Sequence, residues 1–140
     1  MRNINRKKIP TDLKILDEIY GQYYDKFVRF SKDNPSRSSK IYVPIEIDAI
    51  AKTLDVNGDI IFGRLYYHLD KKYGYRKDDN SLVHFFAMVV GNDKHCINFP
   101  LAASVLADLR KESKKFWIAT NIALVSLVIS ISSLIISLLV

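Results

Sequence analysis

Asp55, Asn57 and Asp59 have the spacing that comes closest to a metal-binding motif in this chain. They would occupy the first, third and fifth positions of the loop with which a helix pair binds Ca²⁺. Such a loop needs glycine at its sixth position and a bidentate glutamate at its twelfth, and the chain has Ile60 and Tyr66 there. The segment "DVNGD" therefore predicts a turn in which a side-chain oxygen caps the next helix, and not a calcium site.

The histidines and the single cysteine do not form a reactive set. His68, His84 and His95 have no metal-ligand spacing among themselves or with Cys96. His95 and Cys96 are neighbours on a predicted strand, so they point to opposite faces and cannot form a nucleophile–base pair. The chain also lacks a glycine-rich phosphate loop and a G-x-S-x-G motif. We therefore expect no enzyme, catalytic residue, metal site or cofactor, and we expect Cys96 to be a small buried side chain.

Basic residues form three clusters in a chain with a net charge of +6. A basic surface attracts nucleic acid or anionic lipid without specifying which. The third cluster immediately precedes an apolar segment, so we expect it to lie against a membrane surface. The clusters are Arg2, Arg6, Lys7 and Lys8; Lys71, Lys72, Arg76 and Lys77; and Arg110, Lys111, Lys114 and Lys115.

The sequence of the first half of the chain predicts three helices. Thr11 and Asp12 begin a helix of about 18 residues. A polar loop at 31–40 and a short extended piece follow, and then a helix pair around the "DVNGD" turn, of which the second helix covers 59–73 and ends at Gly74. The predicted inward side chains are Leu13, Leu16, Tyr20, Tyr23, Phe27 and Phe30; then Ile47, Ile50, Ala51 and Leu54; then Ile61, Phe62, Leu65, Leu69 and Tyr73.

The second half predicts a loop, a β-hairpin and a long helix. After the loop "RKDDNS", the segments "LVHFFAMVV" and "HCINF" read as two mostly covered strands around a turn with Gly91, Asn92 and Asp93. Pro100 opens a helix that no breaker separates from the C-terminal apolar segment. We predict a basic arm at 1–10, a small α+β domain at 11–112, and a juxtamembrane and transmembrane segment at 113–140.

The order helix, short helix, turn, helix, hairpin, helix resembles that of a winged helix-turn-helix domain. The resemblance is carried mainly by "IDAIAKTLDVNGDIIFGRLYYHLDKKYG" and the hairpin that follows it. It implies that the helix at 59–73 is a recognition helix that enters the major groove of DNA. The outward residues of that helix would be Arg64, Tyr67, His68 and Lys71, and the phosphate contacts would be Arg76, Lys77 and Lys94.

The same residues favour a protein partner over DNA. The implied recognition helix has one arginine and no asparagine or glutamine, the side chains best suited to base edges. Asp93 stands beside Lys94 in the predicted hairpin turn, where it weakens attraction to phosphate. Winged domains also serve as protein-interaction modules, so the residues that resemble DNA contacts are equally candidates for protein contacts.

The segment from Trp117 to Val140 contains no charged residue. As a helix it would be about 36 Å long, which exceeds the hydrocarbon thickness of about 30 Å. Arg110, Lys111, Lys114 and Lys115 precede it, and Trp117 stands where an interfacial aromatic is expected. We therefore expect a single-pass tail anchor with the N-terminal domain in the cytoplasm, most simply in a bacterial inner membrane.

Small residues form one stripe along this apolar segment. They recur at intervals of four and three residues, which places them on one helix face: Ala119, Ala123, Ser126, Ser130, Ser133 and Ser137. Small residues allow close approach of membrane helices, so the stripe predicts a homo-oligomer or pairing with another membrane helix. The alternative is that the serines bond to carbonyls one turn back and the stripe is incidental.

These features lead to one function hypothesis and two alternatives. The hypothesis is a membrane-tethered protein-interaction or signalling module that assembles through its transmembrane helix. The alternatives are a membrane-bound DNA-binding regulator and a small effector that perturbs the membrane.

Overall fold

The computed structural model describes residues 8–140. Of the predicted basic arm at 1–10, the residues Arg2, Arg6 and Lys7 lie outside the described residues. The chain divides into two compact units, Met1–Leu106 and Ala107–Val140. The first is a mixed helix-and-strand unit with small sheets, as the predicted α+β class requires, and the second is the charged and then apolar remainder of a long helix.

Eleven elements follow one another in the described residues. They are α1 (Asp12–Val28), β1 (Tyr42–Pro44), α2 (Ile47–Thr53), α3 (Gly58–Gly63), a π-helical segment (Arg64–Leu69), α4 (Asp70–Tyr73), β2 (Tyr75–Arg76), β3 (Leu82–Val83), β4 (Phe86–Val90), β5 (Asp93–Asn98) and α5 (Phe99–Leu139).

Helix α1 begins where the sequence predicts, because the Thr11 side chain accepts a hydrogen bond from the Lys14 amide at 3.2 Å. Its buried face differs from the predicted one. The fully buried residues are Ile15, Leu16, Ile19 and Tyr23. Tyr20 and Phe27 from the predicted stripe are half-buried, and both rings stack on Phe99 at the start of α5.

The turn "DVNGD" caps a helix, as predicted. The Asn57 side chain accepts a hydrogen bond from the Asp59 amide at 2.8 Å and begins α3. Helical structure then continues to Tyr73 and ends at Gly74, and Ile61, Leu65 and Leu69 are completely buried. The π-helical segment in its middle, Arg64–Leu69, was not predicted, and it contains both buried leucines.

The main sheet has three antiparallel strands in the order β1-β5-β4. Ile97 of β5 lies between Val43 of β1 and Phe86 of β4, and all three side chains are buried. Pairing of the first strand of the domain with the last therefore closes the core.

The predicted hairpin needs two corrections. Its first strand is broken, because Leu82–Val83 pairs with Tyr75–Arg76 in a separate two-stranded sheet where a loop was predicted. At the break, the Asp70 Oδ1 accepts hydrogen bonds from the amides of Phe85 and Phe86 at 2.7 and 3.1 Å. The hairpin is also less covered than predicted, and Met88 and Val89 on the edge strand β4 are 41% and 61% exposed.

The loop after α1 contains a buried cation that the sequence did not indicate. Arg37 is 5% exposed, and its guanidinium donates hydrogen bonds to the carbonyl oxygens of Lys26, Phe27, Ser39 and Lys40. The same group lies 4.8 Å from the centre of the Phe30 ring. Burial lowers the pKa of Arg37, an effect that the Asp93 carboxylate opposes. Arg37 thus joins the end of α1 to the following loop.

Helix α5 is continuous over 41 residues, as predicted from the lack of a breaker. Its first turns bury Phe99, Ala102, Val105 and Leu106 in the first unit. Its most apolar 18-residue stretch has a mean hydropathy of 2.7, and none of that stretch is buried among the described residues. Among the described residues, it is the one helix long and apolar enough to cross a membrane.

Candidate functional site

Two of the four candidate residues on the implied recognition helix are paired within the domain. The Arg64 Nε donates a hydrogen bond to Asp12 Oδ1 at 2.5 Å, and the His68 Nε2 lies 3.5 Å from Asp12 Oδ2. The π-helical segment therefore turns both side chains toward the start of α1. The other two candidates, Tyr67 and Lys71, are exposed to solvent.

The three predicted phosphate contacts lie outside this helix, on β2, on the loop that follows it and on β5. Arg76 donates a hydrogen bond to the Asn80 carbonyl at 3.2 Å, within the β2–β3 hairpin. Lys77 lines a separate cavity of about 540 Å³ beside the start of α5, together with Tyr75 and Leu82. Lys94 is exposed on β5.

A second cavity, of about 490 Å³, brings the helix pair α2 and α3 together with the β4–β5 hairpin, which is distant from it in sequence. It lies between the N-terminal ends of α2 and α3 and the strands β4 and β5. We call it the acidic groove, because three carboxylates line it beside apolar and aromatic side chains. The lining residues are Glu46, Ile47, Asp48, Gly58, Asp59, Phe62, Met88 and His95.

Backbone geometry positions two of the carboxylates. A Cβ atom at residue 58 would collide with Asp48 Oδ1, so only glycine lets the Asp48 carboxylate lie against the start of α3. Asp59 follows directly in the first turn of α3, where Asn57 caps its amide. Both carboxylates therefore lie at a helix N-terminus, where the exposed amides favour negative charge.

Aromatic packing holds the apolar wall of the groove. The Phe62 ring makes an edge contact with Phe86, with centroids 6.0 Å apart, and a second with His95 at 5.8 Å. It also stacks on Tyr66 at 5.4 Å and meets Tyr67 edge-on at 6.4 Å. Phe62 is thus fixed in place before any partner binds.

His95 has an unusual backbone conformation for a strand residue, with φ of 52°. The left-handed region is uncommon for residues other than glycine and costs about 1 kcal/mol or more. Its carbonyl accepts the Ile45 amide at 3.0 Å, next to the start of α2. This contact ties the hairpin to the segment that carries Glu46 and Asp48.

The groove carries negative charge that the domain does not neutralise. Arg64 and His68 pair with Asp12, and His84 pairs with Asp70, whereas none of these ion pairs within residues 8–140 involves Glu46, Asp48 or Asp59. No group of three or more metal-ligating side chains in the described residues could hold a metal ion. The carboxylates are therefore arranged around the cavity and do not converge on a single point.

Of the groove residues, the sequence singled out Asp59 as a possible calcium ligand, Phe62 as a core residue and His95 as a lone histidine. An available signal was the presence of acidic residues in the first turn of each of two adjacent helices, Asp48 in α2 and Asp59 in α3. The contribution of Met88 and His95 depends on how the hairpin packs, which no local pattern specifies.

Comparison of the chain with protein-family models, with curated proteins and with solved structures finds no match. The acidic groove and α5 are therefore the features of the chain that bear on its function.

Proposed function

We propose that the chain is a single-span membrane protein whose N-terminal unit is a winged-helix-like module for protein interaction. The order α1, β1, α2, α3, β4, β5 and the placement of β1 beside β5 support the winged-helix-like part of the proposal. The β2–β3 hairpin is an addition to that arrangement.

The pairing of Asp12 with Arg64 and His68 is the observation that most favours a protein partner over DNA. A DNA reader presents cations from its recognition helix to phosphates and base edges. Here the single arginine of that helix is engaged by a carboxylate of α1, and the adjacent groove is lined by Glu46, Asp48 and Asp59. Such a surface repels the phosphate backbone.

DNA binding by the full chain in an uncharged detergent tests this choice. Fluorescence anisotropy with labelled duplex DNA should show weak binding with a shallow dependence on salt. A protein that contacts several phosphates instead loses affinity steeply as salt rises, by roughly 10³-fold or more for six contacts between 50 and 200 mM. Such a slope would establish the DNA-binding regulator and refute the interaction module.

The apolar part of α5 supports membrane anchoring. The exposed side chains from Trp117 onward have no partner surface within residues 8–140, and burial in lipid removes them from water. The basic residues Arg110, Lys111, Lys114 and Lys115 are on the N-terminal side of the span, and by the positive-inside rule they support a cytoplasmic first unit.

Two arginines at the centre of the span test the anchor. In the variant Leu127→Arg/Ile131→Arg, each arginine costs about 2.5–3.5 kcal/mol on insertion scales, so the protein should leave the membrane fraction during alkaline carbonate extraction. The control Ser113→Arg adds a charge before the span and should stay in the membrane. Equal retention of both proteins would contradict a transmembrane position.

We further propose that the stripe from Ala119 to Ser137 packs against a second copy. Close approach of two membrane helices needs small side chains on the contact face. The stripe provides them over five intervals of three or four residues.

A further inference from the structure

We propose that the acidic groove binds a basic segment of a partner protein, with a lysine or arginine side chain between Asp48 and Asp59 and its aliphatic stem against Phe62. This inference rests on the proposed interaction function, and it specifies the chemistry of the partner. The groove joins α2, α3 and the β4–β5 hairpin, so the bound segment contacts all three.

Charge complementarity selects a cationic occupant. The chain has a net charge of +6, yet the groove collects three carboxylates that no described basic side chain neutralises. A positive group in the groove gains attraction to all three, whereas a phosphate or an acidic peptide is repelled. The charge therefore excludes nucleic acid and anionic lipid as occupants.

The apolar wall selects a side chain over a bare ion. Phe62, Ile47 and Met88 line the groove beside the carboxylates, and the cavity of about 490 Å³ is far larger than one cation needs. Lysine and arginine have an aliphatic stem that packs on such surfaces while the charged end reaches a carboxylate. An aromatic ring face adds cation–π attraction of about 0.5–1 kcal/mol at exposed sites.

The groove combines fixed and adaptable walls. The Phe62 ring contacts Phe86 and His95, and glycine at position 58 leaves room for the Asp48 carboxylate beside α3. Met88 is 41% exposed and has a flexible thioether side chain that can adjust to different occupants. This arrangement suits a short basic segment that the groove recognises mainly by its charge.

Met88 also provides a direct probe of the groove. The chain has two methionines, so full-length protein labelled with ¹³C-methyl methionine in an uncharged detergent gives two methyl signals, which a Met88→Leu variant assigns. The probe ligand is an alternating Lys-Leu octapeptide, and its comparison peptides replace Lys by Gln or by Glu. The Lys peptide should shift the Met88 signal in a saturable manner that weakens as salt rises.

The charge-removing variant Asp48→Asn/Asp59→Asn should bind the Lys peptide roughly fivefold or more weakly, since each partly exposed pair contributes up to about a factor of five. The control Asp33→Asn/Asp78→Asn removes two exposed carboxylates outside the groove and should bind as the parent does. Agreement with both expectations supports the proposal. Equal weakening in both variants means that only net charge matters and overturns it.

Other outcomes also overturn the proposal. These are equal shifts with the Gln or Glu peptide, no shift with any peptide, and a shift with Ca²⁺ or Mg²⁺ alone that the Lys peptide does not compete with. A Met88 shift on deletion of residues 1–7 would assign the groove to the chain's own basic start. None of these results touches the interaction function itself, which fails only if the DNA titration shows a steep salt dependence.

Discussion

At the scale of single residues, Arg37 joins the end of α1 to the loop that follows it. Its guanidinium satisfies four carbonyl oxygens, two at the end of α1 and two in the following loop. Replacement by alanine leaves these acceptors without their donor, and we expect Arg37→Ala to lower the free energy of unfolding by about 2–4 kcal/mol. Thermal unfolding of the full chain in detergent, followed by near-UV circular dichroism of the tyrosines, measures the loss.

The comparison with Arg37→Lys separates geometry from charge. A single ammonium cannot reach all four carbonyls, so lysine should recover less than half of the lost stability. The control Lys32→Ala removes an exposed cation from the same loop and should change stability by about 0.5 kcal/mol or less. Full recovery by lysine would show that a positive charge alone is needed.

Cys96 is the residue that reports on opening of the sheet. Its side chain is fully buried on β5, as predicted, and burial raises the pKa of its thiol. We expect iodoacetamide to modify Cys96 at least about 100-fold more slowly in the folded protein than in denaturant, since the reagent needs an exposed thiolate. Mass spectrometry of time points measures both rates.

The direction of the pH dependence follows from the raised pKa. The unfolded chain loses the thiol proton near its ordinary value of about 8.5, while the folded chain keeps it to higher pH. Stability should therefore fall as pH rises through this range, and a Cys96→Ala variant should lack this part of the fall. Rapid modification of the folded protein at pH 8 would show that β5 is not protected.

At the scale of elements, the periodicity of apolar residues predicted α1, α2, the helix that ends at Gly74, and the continuity of α5. These elements have local signals, such as the Thr11 and Asn57 caps and the glycine end. The π-helical segment and the two-residue strands β2 and β3 have no such signal. They follow from tertiary contacts, notably those of Asp12 with Arg64 and of Asp70 with the Phe85 and Phe86 amides.

The start of α3 shows how one glycine couples two elements. Alanine normally favours a helix by about 1 kcal/mol over glycine, but a Cβ at position 58 would collide with the Asp48 carboxylate of α2. We expect Gly58→Ala to bring little or no stabilisation in the parent and to stabilise the Asp48→Ala variant. The double-mutant cycle should give a coupling of about 0.5–1 kcal/mol, measured by the same thermal unfolding. Additive effects would mean that Asp48 does not rest against residue 58.

At the scale of the whole molecule, the groove could not be predicted from the sequence. Its walls come from residues 46–48, 58–62 and 88–95, which only the packing of the hairpin on the helix pair brings together. The resemblance to a winged helix instead predicted Arg64 and His68 as outward contact residues, and in the structure both pair with Asp12. The apolar segment was predictable because length and composition alone define a candidate span.

The small-residue stripe of α5 leads to a prediction about assembly. The serine hydroxyls already donate to carbonyls of their own helix, for example Ser126 to Ile122 and Ser130 to Ser126, at 2.9 and 2.8 Å. The hydroxyl–carbonyl bonds expected if the stripe is incidental are therefore present. The property that remains for contact with a second helix is the small size of the side chains.

Replacing Ser126, Ser130, Ser133 and Ser137 by alanine should leave crosslinked dimer in membranes unchanged, whereas replacement by leucine should reduce it severalfold, because larger side chains separate the helices. The variant Val128→Leu/Ile131→Leu/Ile135→Leu, whose changes lie outside the stripe, provides the control and should leave the dimer intact. Loss of dimer in the alanine variant would show that interhelical hydrogen bonds hold the pair, and unchanged dimer in the leucine variant would show that the stripe is incidental.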